Sequence, residues 1–300
     1  MVRAKKSPNN DSSFKSLKAD YYPVQRSTDL RSTATEVDYY VLDVARNLSV
    51  SNKRLYRQGK TYSCKVDLQA GHQTTQYDVF ALVDTWYIQK AWQMARAVYL
   101  RSTADERAQM SSQKIARWED FRVSAGLSGH AGGELVPAPY STGLASAADT
   151  AGEFSLSEVT LADGSSQRTF RWGSTSGNAL GMLAEYDKSG NTDVAPSTVD
   201  ADNPYVGIDS GVHESQSDDL ALRGNAPPYD AQAMNARVWV RIARLDAAAA
   251  HGKLSTGFFN APCGLIVVKP VASNTGIVNQ LSLTVQAGNY KGVKAMNMGV

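Results

Sequence analysis

Between Thr61 and Gln69 apolar and polar positions alternate, with Tyr62, Cys64, Val66 and Leu68 set against Ser63, Lys65, Asp67 and Gln69. A strand turns successive side chains to opposite faces, so this pattern predicts a half-buried strand. Two neighbours read the same way, "YYVLDVARNLSV" from Tyr39 and "YDVFALV" at Tyr77–Val83. In this reading Leu48 and Val50 end one strand, Gln58-Gly59 supplies a turn, and Tyr62 begins the next, so "NKRLYRQGKTYS" is a basic hairpin. Further along, "EFSLSEVTL" and "QRTFRW" flank the turn signal Asp163-Gly164. Strands resume in "ARVWVRI" at Ala236–Ile242, "GLIVV" at Gly264–Val268 and "LSLTV" at Leu281–Val285.

The period changes clearly in one place. Over Asp84–Ser102 the residues Ile88, Trp92, Ala95 and Tyr99 fall on one helical face, while Gln89, Lys90, Gln93 and Arg96 fall on others. Asp84 is the expected N-cap, and Trp92 is expected to pack against the sheet. Thr103 and Glu106 have capping-box spacing for a second, shorter helix. Glycine-rich sequence at Gly126–Gly133 and an acidic stretch at 185–219, with nine Asp or Glu against Lys188 alone, read as loops. No repeat of fixed period and no sharp linker divides the chain.

Many strands, long loops and one inserted helical segment predict a mainly β fold. A two-sheet antiparallel sandwich of jelly-roll type fits them better than an up-and-down barrel. Residues 36–300 are expected to form that single domain, and residues 1–35, polar and without sustained period, a mobile basic arm. The composition agrees: 42% hydrophobic and 20% charged residues can build a core, and 23 glycines and 10 prolines favour short strands over helical bundles. Cys64 and Cys263 lie in apolar runs and are expected to be buried free thiols. The first residues lack a signal-peptide apolar core, and no run of about 18 apolar residues occurs, so no membrane span is expected.

Catalytic motifs were weighed on spacing. Gly59-Lys60-Thr61 ends like a phosphate-binding loop, but Arg54 stands where the first glycine belongs and a strand pattern follows instead of a helix. "GSTSG" at Gly173–Gly177 places Thr175 at the nucleophile position of a hydrolase elbow, lacks a clear helix after it, and reads as a turn. His72, His130, His213 and His251 sit in no recognisable signature, and neither a zinc motif nor a dinucleotide fingerprint is present. Asp200, Asp202, Asp209, Glu214, Asp218 and Asp219 could gather round a hard cation, but their spacing is not that of an EF-hand and a solvated loop explains them. No enzyme activity, cofactor or metal is expected.

Charge separates the chain into unlike parts. Residues 1–122 hold 20 Lys or Arg against 13 Asp or Glu, a net +7, and the remaining 178 residues have a net −5. The candidate nucleic-acid contacts are Arg3, Lys5, Lys6, Lys15 and Lys18 on the arm, with Arg46, Lys53, Arg54, Arg57 and Lys60 around the hairpin. Arg237 and Arg241 form a third group, sharing a strand face with Trp239. Each group also has a plain reading: a soluble tail, a solvated turn, and edge charges that discourage aggregation. Contacts made by them would go to phosphate, since nothing resembles a base-reading helix or an aromatic RNA-binding signature.

A basic arm, a strand-rich body with one early helix, an acidic loop region and the C-terminal runs "FFNAPCGLIVVKPV" and "LSLTVQAGNYKGVKA" together resemble capsid proteins of small circular Rep-encoding single-stranded DNA viruses. The resemblance implies a single jelly roll whose copies close into an icosahedral shell. It also implies an arm directed inward to a single-stranded DNA genome, and a place in the virion. The partners are then the chain itself and the genome, with the host receptor unspecified and no membrane. The arm differs from the family's longer arginine-rich ones, since its five basic residues stand beside Asp11 and Asp20. A different class remains open: a β-sandwich that binds or processes carbohydrate, with Trp86, Trp92, Trp118, Trp172 and Trp239 as stacking faces and paired carboxylates in the acidic loop.

Overall fold

The structure is a computed structural model. It describes residues 24–31, 39–69, 75–111, 115, 118–127, 136–137, 154–160, 167–190, 238–247, 254–272 and 280–299. In chain order the first strands and helices are β1 (Ser27–Arg31), β2 (Tyr40–Asp43), α1 (Val44–Asn52), β3 (Lys60–Gln69), β4 (Gln76–Leu82), α2 (Trp86–Ser102) and α3 (Ala104–Ala108). After them come β5 (Val136–Pro137), β6 (Glu158–Thr160), β7 (Gln167–Arg171), β8 (Ala179–Gly181), α4 (Met182–Gly190) and β9 (Trp239–Asp246). The chain ends with β10 (Phe259–Ala261), β11 (Leu265–Ala272), β12 (Gln280–Val285), β13 (Ala287–Gly288), β14 (Gly292–Val293) and β15 (Ala295–Asn297).

The protein is mainly β, and its body is a sandwich of two antiparallel sheets. One runs β10-β3-β12-β1, extended by β5 beyond β1 and by β15 at the start of β3; the other runs β2-β11-β4-β9. The pairing is nested: β1 pairs with β12, β2 with β11, β3 with β10 and β4 with β9, all antiparallel. These eight strands are therefore one long hairpin whose two arms pass together from sheet to sheet, and everything between β4 and β9 is inserted at its tip.

Side-chain register places the core between the sheets. Leu281 lies opposite both Leu30 and Leu68, and Leu283 lies opposite Val66, so one face of the first sheet is continuous hydrocarbon. It meets Leu42, Val79, Ile266 and Val268 of the second sheet. A second cluster joins Val41, Leu82 and Leu265 to the buried face of α2 and to Phe121, Phe170 and Trp172. That cover explains why every residue of β2 is buried, since β2 has hydrocarbon on both faces, whereas β3 alternates between buried and half-buried positions only over Cys64–Leu68 and buries the polar Thr61 and Ser63 as well. The chain turns from β10 into β11 at Pro262–Gly264, where Cys263 and Gly264 take positive φ of 56° and 63°. A Cβ on Gly264 would stand 2.9 Å from the Tyr62 ring, so only glycine fits this corner.

Most expected strands form, and β6 and β7 pair across the Asp163-Gly164 region. Four local expectations change. Leu48 and Val50 lie in α1, not in a strand; Asp43 caps that helix by accepting the Arg46 N–H at 3.0 Å, and Val44, Ala45 and Leu48 bury one face. The basic segment is thus a helix-to-strand connection instead of a hairpin. Helix α2 starts at Trp86 with Thr85 at the cap position, because Asp84 turns its carboxylate to the Gln89 side-chain amide at 2.9 Å. Thr103 precedes α3 as expected but makes no cap bond, its hydroxyl donating to the Tyr99 carbonyl at 2.7 Å. Finally, α4 does follow the "GSTSG" turn and takes the first residues of the acidic stretch into a helix. Within residues 1–35, Ser27–Arg31 is a strand of the first sheet.

Candidate nucleic-acid interface

The connection from α1 to β3 is held by buried polar groups. Gln58, 1% exposed, donates its backbone N–H to Asp120 Oδ1 at 3.0 Å and its side-chain amide to Asp43 Oδ2 at 3.2 Å. Its side-chain oxygen accepts the Val123 N–H at 2.6 Å. Arg122 bridges both carboxylates, donating to Asp43 and, at 3.2 Å, to Asp120. Burial pushes the Asp120 carboxyl above its ordinary range, and the Arg122 charge only partly offsets that. Gln58-Gly59 is therefore no surface turn. Gly59 is required by close approach instead, since a Cβ there would fall 2.4 Å from the Trp92 ring.

Above this floor lies a cleft of about 560 Å³. Arg57, Lys60, Arg96 and Lys291 bring positive charge to it, and Glu119 and Asp120 bring negative charge. Arg57 is held by Glu119 at 2.5 Å. Lys60 lies 4.1 Å over the Tyr290 ring, and its Nζ donates to Asn297 Oδ1. Lys291 lies 5.6 Å from the same ring, and its Nζ donates to the Leu55 carbonyl. Partial burial, then the Arg57 and Lys291 charges, hold the Lys60 ammonium below the usual lysine range. Burial, then Arg57 and Arg54, do the same to Lys291.

The structure gathers some of the sequence candidates and separates others. Arg57 and Lys60 line the cleft, and Arg54 lies close enough to lower the Lys291 amine. Lys53 is exposed at the left-handed C-cap of α1, with φ 52°. Arg46 sits on α1 with its guanidinium 5.9 Å from the Phe154 ring, away from the cleft lining. Arg3, Lys5, Lys6, Lys15 and Lys18 lie outside the described residues, as do Arg237, the four histidines and the six acidic residues at 200–219. Sequence reasoning missed Lys291 and placed Arg96 no further than off the apolar face of its helix. The turn "NYKG" was the available signal for Lys291, a lysine set between an aromatic ring and a glycine.

Other candidate chemistry resolves differently. Thr175 donates to Glu185 Oε1 at 2.8 Å and accepts the Gly181 N–H at 3.0 Å, which makes it a brace inside the turn. Cys64 and Cys263 are free and buried. Among the described residues no cluster of His, Cys, Asp and Glu could hold a metal ion, and no helix is long and apolar enough to cross a membrane. Trp92 and Trp172 are buried, Trp118 and Trp239 are half-buried, and Trp86 is 54% exposed. Buried indoles offer no stacking face for a sugar.

The chain matches no protein-family model, no curated protein and no solved structure.

Proposed function

We propose that this chain is a capsid subunit, and that its sandwich is a jelly roll. The nested strand pairing carries the reading. A jelly roll is a long antiparallel hairpin rolled into two sheets of four, giving sheet orders 1-8-3-6 and 2-7-4-5 for strands counted along the chain. Counting β1 to β4 and β9 to β12 as those eight strands reproduces both orders. Jelly rolls serve as shell-forming domains in viral capsids, where loops at the ends of the sandwich are free to vary while the sheets stay rigid. The insertion at the β4–β9 tip is of that kind, and it adds a second hydrophobic cluster without altering the strand order.

Three further observations support the reading. The C-terminal runs that carry the family likeness form β10, the Pro262–Gly264 corner, β11 and β12, so they are framework. Positive charge concentrates at one end of β3, where a polyanion could be met by Arg57 and Lys60. Trp86 and Val240 are large apolar residues left 54% and 44% exposed, as surfaces awaiting a neighbouring subunit are. In the capsid these contacts close many copies into one shell in the virion, with the genome bound through phosphates irrespective of sequence.

Sedimentation of the purified chain across salt and pH tests this. A fast, uniform boundary that carries nuclease-protected nucleic acid is expected. Monomer alone under every condition would overturn it, and a sugar-dependent shift of that monomer would support the carbohydrate-binding sandwich.

A further inference from the structure

We propose that the cleft between the start of β3 and the Tyr290–Val293 turn is a discrete phosphate site, with Lys60 and Lys291 as its principal ligands and Arg57 and Arg96 at its rim. The reading of the chain as a capsid subunit bears only on the source of the phosphate, a nucleic-acid strand.

The charge arrangement is the first argument. Four cationic side chains converge on one cleft with two carboxylates, and both carboxylates are engaged: Glu119 by Arg57, and Asp120 by Gln58 and Arg122. Among the described residues no carboxylate pairs with Lys60, Lys291 or Arg96. The two ammonium groups are tied instead to neutral oxygens, Asn297 Oδ1 and the Leu55 carbonyl, which orient them and leave their charge in place. Like charges confined in this way repel. An anion between them removes that repulsion and gains charge-assisted hydrogen bonds.

The backbone is the second argument. Lys291 holds φ at 50° beside Gly292 at 89°, a left-handed conformation that is unfavourable for a non-glycine residue. A strained residue kept at a charged cleft points to a use for its side chain. Its position is fixed on both sides: Tyr56 donates its hydroxyl to the Lys291 carbonyl at 2.9 Å, and Tyr290 and Val293 bond each other's backbone at 3.0 Å. Lys60 is fixed too, paired through β3 with Asn297 of β15. The Tyr290 hydroxyl accepts the Arg57 N–H at 3.2 Å and so joins the two segments. The ligands are thus positioned before any phosphate arrives, and binding does not have to order them.

The test compares wild type, the double variant Lys60→Gln/Lys291→Gln, and Lys269→Gln as a charge removal on β11 outside the cleft lining. Fluorescence anisotropy of a labelled oligothymidylate is followed against salt, with pyrophosphate as competitor and thermal melting as the check on folding. The double variant is expected to melt with the wild type, to bind at least tenfold more weakly at low salt, and to lose about 1.4 from its logarithmic salt slope, about 0.7 per single-strand phosphate contact. Lys269→Gln should keep the wild-type slope. Competition by pyrophosphate at millimolar concentration would assign the cleft to free phosphate groups, and its absence to phosphates of a strand. Equal slopes in the double variant and wild type overturn the site even where shells form. A lost slope in a chain that forms no shell keeps the site and overturns the capsid reading.

Discussion

Asp78 shows how one residue sets the acid limit of the sandwich. It is buried on β4, and Arg244 of the neighbouring β9 holds both its oxygens, at 2.8 and 2.9 Å. Those bonds keep its carboxyl below the usual range against the opposing effect of burial. A carboxyl lowered on folding contributes stability that is complete above its unfolded value of about 3.9 and is lost as pH falls through the folded value. Asp78→Asn should therefore cost about 1.5 to 3 kcal/mol at neutral pH, with the deficit shrinking below about pH 3.9. Urea unfolding at both ends of that range measures it, and a deficit independent of pH would contradict the assignment. Asp120 has the opposite sign, since burial raises its carboxyl and its ionised form is tolerated only beside Arg122. The two cysteines are limited by burial as well. Burial pushes both thiols well up, and the Asp43 charge adds to it at Cys263. Neither should react with a thiol reagent near neutral pH until the chain unfolds, as mass spectrometry before and after denaturant would show; labelling of the native chain would contradict it.

At the scale of elements, legibility followed how far each pattern was decided locally. β3 could be read from the alternation of its apolar residues, although Thr61 and Ser63 on the opposite face are buried too, and α2 from its apolar stripe. α1 could not, because Val44, Arg46, Leu48 and Val50 alternate like a strand while Val44 and Leu48 also share a helical face. The choice rests on Asp43, which caps the helix and also pairs with Arg122, a partner 79 residues away. The cleft was half legible for the same reason. Arg57 and Lys60 stood out as a basic run, but Lys291 reaches them through long-range contacts, the pairing of β15 with β3, where Lys60 and Asn297 are 237 residues apart, and the bonds of Tyr56 and Tyr290. Trp92 was expected inside and is there, although its ring covers Gly59 and meets Phe121 at 5.9 Å rather than lying flat on a sheet. Trp92→Ala should cost about 3 to 5 kcal/mol and open the cleft wall it forms. A wild-type melting temperature would show that the ring packs elsewhere.

For the whole molecule, the pairing of β1 with β12 and of β4 with β9 fixes the architecture. No local pattern encodes that nesting; it emerges only when the apolar faces of the two sheets close on each other. Alternation could give the approximate place of most long strands but not their pairing. A charged cleft lies beside the start of β3, and exposed apolar residues stand on the insertion and on β9. Each feature has a use in a closed shell around a polyanion. Electron microscopy of the purified chain tests this most directly. The account predicts closed particles of one diameter that contain nucleic acid; a field of dispersed monomers, unchanged by salt, pH or added single-stranded DNA, would contradict it.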